Sequence, residues 1–171
     1  MFDNQLCYQL YLTLMRWMKV MTKKIVVLGS LNVDSIMKMP RMPLVGETMA
    51  LTNVTTAPGG KGANQAVAAA RQGADVSFIG AIGNDANGQF MRATLVNNGV
   101  NVNQLKTNGD VPTGSAFIML QDDGANTILI HGGANQALTT ADLDRDLIID
   151  ADLIICLLYT SDAADDSLRV D

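Results

Sequence analysis

Pro58-Gly59-Gly60-Lys61-Gly62-Ala63-Asn64-Gln65-Ala66-Val67-Ala68-Ala69-Ala70-Arg71-Gln72-Gly73-Ala74 decides how the rest of this 171-residue chain is read. Pro58-Gly59-Gly60 reads as a loop that cannot be regular structure. Lys61 to Gln72 is an Ala-rich run of good helix formers. Gly73 is a natural stop just beyond it. A glycine loop opening a helix turns backbone N–H groups and the positive helix end toward a polar or anionic ligand. It also serves as a plain turn. Lys61 and Asn64, three apart, share one face of the first turn. Ala66, Val67, Ala69 and Ala70 make the remainder small and apolar, so the helix reads as buried with a polar start. It is not a P-loop, because Thr55 stands where the first glycine belongs and Gly62 follows Lys61. It is not a dinucleotide fingerprint, because Gln65 replaces the third glycine and no tight strand is expected just before it.

Upstream, Ile25 to Leu28 is a continuous apolar run closed by Gly29-Ser30, the pattern of a buried parallel strand. Leu31-Asn32-Val33-Asp34 follows. Period-two alternation puts Asn32 and Asp34 on one face and Leu31 and Val33 on the other. An amide beside a carboxylate suits vicinal hydroxyls, because the amide donates and accepts and the carboxylate accepts twice. An Asx turn is the alternative. Ser35–Met39 and Glu47–Thr55 read as a loosely connected hairpin around Pro40, Pro43 and Gly46.

Downstream, Asp75–Gly80 reads as a second buried strand, so strand, loop, helix and strand argue for a parallel sheet. A helix is expected from about Gln89 to Asn97, then a short strand over Val100–Leu105. Thr113–Leu120 and Asn126–His131 flank the turn Asp122-Asp123-Gly124, a second hairpin. His131-Gly132-Gly133-Ala134-Asn135 is another glycine loop. Thr139-Thr140-Ala141-Asp142 reads as a helix start, and a third parallel strand begins over Ala151–Ile155.

The length suits one domain, and 48% hydrophobic residues with few aromatics suit an α/β protein. A net charge of −5 gives no basic footprint for nucleic acid. The two cysteines, Cys7 and Cys156, lie in the end segments, so no disulfide framework or Cys-based metal site is expected, which suits a cytoplasmic protein. A single histidine excludes a His-cluster metal site. Residues 1–20 are too broken for a membrane span and poor as a signal peptide. They read as a doubtful extension ahead of a start at Met21.

Taken in order, Val26–Asp34, Pro43-Leu44-Val45-Gly46-Glu47-Thr48, Gly59-Gly60-Lys61-Gly62-Ala63-Asn64-Gln65-Ala66, Gly73-Ala74, Ile82–Asp85, Thr113-Gly114 and His131–Asn135 resemble the PfkB carbohydrate-kinase family, from about Lys23 to Ile155. The resemblance implies a ribokinase-like α/β fold, a Rossmann-like parallel sheet flanked by helices. A small β lid would be built from hairpins at about 35–55 and 113–131. It implies that Asn32, Asp34, Gly59, Gly60, Lys61 and Asn64 contact ribose. It further implies transfer of the ATP γ-phosphate to the sugar O5 with Mg2+ and a monovalent cation such as K+, and a homodimer through the lid. Other kinases of the family, acting on deoxyribose, fructose or nucleosides, and a non-catalytic sugar-binding fragment are the alternatives.

Family members are considerably longer. The nucleotide pocket and the catalytic Asp belong to a half that this chain does not show, so the chain alone is expected to be inactive and prone to aggregate along unpaired Val76–Ile79 or Ile25–Leu28. Cys156 to Asp166 coincide with one frame of a transposon-end sequencing adapter, so residues 156–171 read as an artefactual tail. That tail holds four Asp and one Arg and carries −3 of the net −5.

Overall fold

The computed structural model describes residues 22–158; the expectations for residues 1–20 and for the tail beyond 158 lie outside them. The apolar run after Lys23 forms β1 (Lys24–Gly29). It lies between β4 (Asp75–Gly83) and β8 (Leu153–Leu157), and β5 (Leu105–Asn108) extends the sheet beyond β4. All these pairings are parallel. Continuous apolar strands are what a parallel sheet covered by helices requires.

Helices α1 (Lys61–Arg71) and α2 (Ala86–Asn97) contribute Ala63, Ala66, Met91 and Leu95 to a core with Val27, Leu31, Val76, Phe78 and Ile82. Helix α1 is amphipathic rather than buried throughout: Gly62, Ala63 and Ala66 face inward, and Asn64, Gln65 and Arg71 face solvent. Its start lies on β1 at backbone distance. A Cβ on Gly62 would come within 2.5 Å of the Gly29 Cα. The helix ends where expected, with Gly73 at φ +90.

The second sheet has the order β3-β2-β6-β7. It is built from β2 (Asn32–Met39), β3 (Asn53–Gly59), β6 (Ser115–Gln121) and β7 (Asn126–His131). Two antiparallel hairpins join through a parallel β2–β6 pair, so the hairpins form one sheet.

Several boundaries differ from the sequence reading. Pro58 and Gly59 are not loop but the end of β3, opposite Val33 and Asn32, so a strand does lead directly into α1. Proline is tolerated there because β3 is an edge strand and needs no second ladder partner. Residues Glu47–Thr52 are not strand. Glu47 instead closes the connecting loop, accepting from both Arg41 guanidinium nitrogens (2.8 and 2.6 Å) and from the Leu44 N–H. Those bonds, the Arg41 side chain first, hold Glu47 down at about 2. The short strand falls at Leu105–Asn108; residues 100–104 contribute only an isolated bridge at Asn101. Thr139 and Asp142 do form a capping box at a helical start, and the turn it opens is the short 3-10 turn Thr140–Asp142. Strands β1 and β4 are paired on both sides, so neither is the exposed edge. The edges are β5 and β8, and Leu153 and Ile154 on β8 are half exposed.

Helix α2 begins three residues before the expected Gln89, because Asp85 caps it by accepting from the Gly88 N–H at 2.7 Å. The same carboxylate accepts from the N–H and hydroxyl of Thr113, the one buried polar side chain among the described residues. Burial pushes Asp85 upward, but the bonds from Thr113 and Gly88 outweigh it and hold its pKa below the ordinary 3.8. Its contribution is therefore complete above pH 3.8 and drains as pH falls through the lower native value. Asp85→Ala is expected to cost about 2 kcal/mol, from a lost cap and from the Thr113 N–H and hydroxyl proton left without their acceptor, although the hydroxyl oxygen still accepts from the Gly83 N–H. Urea unfolding at pH 7 measures that loss. The difference from wild type should shrink in acid.

Candidate functional site

Leu31 and Val33 are buried, so alternation along β2 turns Asn32 and Asp34 to the opposite face, where both are partly exposed. The site therefore stands on the first lid strand at the C-terminal end of β1, the side on which open α/β sheets hold ligands. Asn32 is in register with Gly59 and Asp34 with Ala57. The Asp34 carboxylate leans diagonally across the Gly59 Cα, into the space that a Cβ there would fill. No donor among the described residues reaches that carboxylate, and burial pushes its pKa up. It is an acceptor held ready and unpartnered.

Asn32 is oriented by a residue far along the chain. Its Oδ1 accepts from Asn135 Nδ2 at 3.0 Å. That leaves the Asn32 NH2 group as a donor, so the amide presents one polarity rather than the two its chemistry allows. Gly60 caps α1 at φ +96 and ψ +126, with its Cα pressed against Ser30, Leu31 and Asn32. The Ala63 N–H donates to Ser30 O at 3.2 Å, tying the helix start to the turn before β2.

Asn32, Asp34, Gly59 and Gly60 thus lie together: Gly59 sits under the Asp34 carboxylate and opposite Asn32, and Gly60 against the Asn32 backbone. Lys61 and Asn64 follow on the first turn of α1, both exposed; the Asn64 N–H donates to Gly60 O at 2.9 Å, but neither side chain bonds to the other four. Asn64 borders a groove of about 280 Å³ lined by Pro58, Val67, Arg71, Met91 and Thr94. Two residues of this neighbourhood, Asn135 and Gly114, stand among the family-like motifs of the sequence but were given no part in the site. Gly-Ala-Asn occurs three times, at 62–64, 124–126 and 133–135, so the repeat by itself singles out neither Asn64 nor Asn135.

A carboxylate that accepts, an amide that donates and an ammonium on a flexible stem match a neutral, hydroxyl-rich ligand. Among the described residues, no three His, Cys, Asp or Glu side chains cluster as a metal site would require. No helix among them is long and apolar enough to cross a membrane.

A helix-flanked parallel sheet beside a second sheet, whose first strand carries an unpartnered carboxylate next to an oriented amide, makes an α/β protein of carbohydrate-kinase type. Residues 22–161 match the pfkB family of carbohydrate kinases, and the chain belongs to that family. It is 44% identical over 139 residues to the bifunctional ribokinase/ribose-5-phosphate isomerase A of Fructilactobacillus sanfranciscensis, a match covering 80% of this chain and 26% of that one. It is 39% identical over 141 residues to a ribokinase of Staphylococcus aureus, covering 81% and 46%. Among solved structures it resembles Arabidopsis thaliana ribokinase complexed with ribose and ATP, with a TM-score of 0.70, 36% identity, and coverage of 80% of this chain and 45% of that one. The chain spans less than half the length of these relatives.

Proposed function

We propose that this chain carries the sugar-binding part of an ATP-dependent ribose kinase, which transfers the γ-phosphate to O5 and yields ribose 5-phosphate. The observation that carries the reading is the Asp34 carboxylate, free of donors among the described residues and laid over Gly59 beside an Asn32 amide held as a donor. Asp34 accepts from two vicinal hydroxyls, Asn32 donates to one, and Lys61 and Asn64 close the ring from the helix start. Held together, these groups fix the sugar so that one hydroxyl is presented for transfer, the orientation term of catalysis. ATP, Mg2+ and a monovalent cation such as K+ belong to the proposed reaction, and none of them is assigned to a described residue.

The lid is proposed to cover the sugar and to pair with a second copy. Phe117, Leu129 and Val54, exposed apolar residues on the lid, are consistent with a covered face. A cytoplasmic setting fits a phosphorylated small-sugar product.

Calorimetric titration of the purified chain with D-ribose tests the reading, with 2-deoxyribose, fructose and adenosine run in parallel. Saturable heat with ribose, and weaker heat with the others, is expected. Preference for fructose or adenosine would move the assignment to another kinase of the family, and no heat with any of them would end it.

A further inference from the structure

Leu31 is fully buried and lies between two strands, in neither ladder. Buried backbone groups need partners, and here one side chain supplies both. Asn135 Oδ1 accepts from the Leu31 N–H at 2.9 Å, and Asn135 Nδ2 donates to Leu31 O at 2.9 Å. The carboxamide acts as a one-residue strand, reaching across 104 residues of sequence. Its Nδ2 is shared with Asn32 Oδ1.

The base of Asn135 is itself anchored. It sits on the 3-10 turn Gly133–Ala137, where the Ala134 N–H donates to Pro112 O at 2.8 Å. Beside it, Gly114 has no room for a side chain: a Cβ would fall on both Asn135 Nδ2 and Asn32 Oδ1. Gly114 O in turn accepts from the Val33 N–H at 2.9 Å. The Asn32 carboxamide is therefore clamped from the end of the lid, through residues that touch no proposed ligand atom.

We infer that Asn135 is a positioning residue for the sugar site: by holding Leu31 and the Asn32 carbonyl oxygen, it turns the Asn32 NH2 group toward the ligand. This inference rests on the sugar reading above. The alternative is that Asn135 only stabilises the turn. The two differ in whether its effect on binding passes through Asn32.

A double-mutant cycle in ribose affinity separates them, using the full chain with Asn32→Ala, Asn135→Ala and the pair. Each single change is expected to weaken ribose binding about tenfold, the worth of one well-placed hydrogen bond to a ligand. The pair should be no weaker than Asn32→Ala alone. Asn135→Asp is the second variant, should the alanine change fold poorly. It keeps the acceptor for the Leu31 N–H but loses both donors, so it should weaken ribose at least as much as alanine does, and again only while Asn32 is present. Hydrogen exchange at the Leu31 amide, measured without sugar, should speed up in Asn135→Ala and stay slow in Asn135→Asp. Losses that multiply in the double variant, or unchanged affinity in both Asn135 variants, would overturn the role of Asn135 and leave the sugar reading standing. No ribose binding by the wild-type chain would remove the sugar reading and this inference with it.

Discussion

Gly60→Ala is expected to unfold the protein or to lower its melting temperature by about 10–20 °C, a loss of roughly 3–5 kcal/mol. Two independent costs fall on one residue. The backbone there has φ +96 and ψ +126, outside what an L side chain adopts without strain. A Cβ would also stand 2.5 Å from Ser30 O and 2.9 Å from both Leu31 Cα and Asn32 N. Those are backbone atoms of a buried turn, so no side chain can swing aside to make room. A loss of this size is a large part of the net stability of a domain. Differential scanning calorimetry reads it directly, and a melting temperature within a few degrees of wild type would refute the geometry.

Asp34→Asn is expected to behave in the opposite way, leaving the fold intact and reducing ribose affinity at least ~100-fold. One charge-assisted hydrogen bond is lost where an NH2 donor replaces an acceptor oxygen and faces a hydroxyl, and the other loses its charge; bonds to a charged acceptor are worth about 1.5–3 kcal/mol each. Stability moves differently, because burial raises the pKa of Asp34 above its ordinary 3.8. A raised pKa means the carboxyl favours folding only below the unfolded value and loses that contribution as pH rises through the native one. At neutral pH the anion is held at a cost, eased by its partial exposure. The amide carries no such cost, so the variant should melt at or slightly above wild type. The excess should be largest near pH 7 and vanish toward pH 3. Calorimetric titration with ribose and a pH series of melts check the two halves separately. Retained affinity would remove Asp34 from the site, and a large drop in melting temperature would show that it is structural.

Gly59 and Gly60 illustrate what a string of letters carries and what it hides. Their adjacency to a helix was plain in the sequence, as was the alternation that sends Asn32 and Asp34 to one face. Their separate duties were not. Gly59 clears space for the flexible Asp34 carboxylate, whereas Gly60 clears space for rigid backbone. Pro58 was misleading for a related reason: a proline breaks a central strand but fits an edge strand, and edge position is a property of the whole sheet. The parallel core was readable because Ile25–Leu28 is an unbroken apolar run and Asp75–Gly80 carries Val76, Phe78 and Ile79 between a strand-loop-helix unit and the next loop. The loop at Glu47 was not, because its apparent alternation is overridden by a bidentate pair with Arg41. Asn135 was beyond reach altogether. Its partners lie 103 and 104 residues away, and no local pattern reports such a distance.

The placing of β1 between β4 and β8 also bears on the order in which the molecule is made. The strand nearest the N-terminus is the middle of its sheet, and the register Ile25 with Leu153 closes only after almost the whole described chain exists. Strand β2 waits in the same way for β6, its parallel neighbour. Closing such long loops must come before the contacts that reward it, so folding is set by topology and should be slow. A nascent chain that has emerged through Asn64 already contains every residue proposed to touch the sugar. It lacks the clamp that aims Asn32 until Asn135 follows.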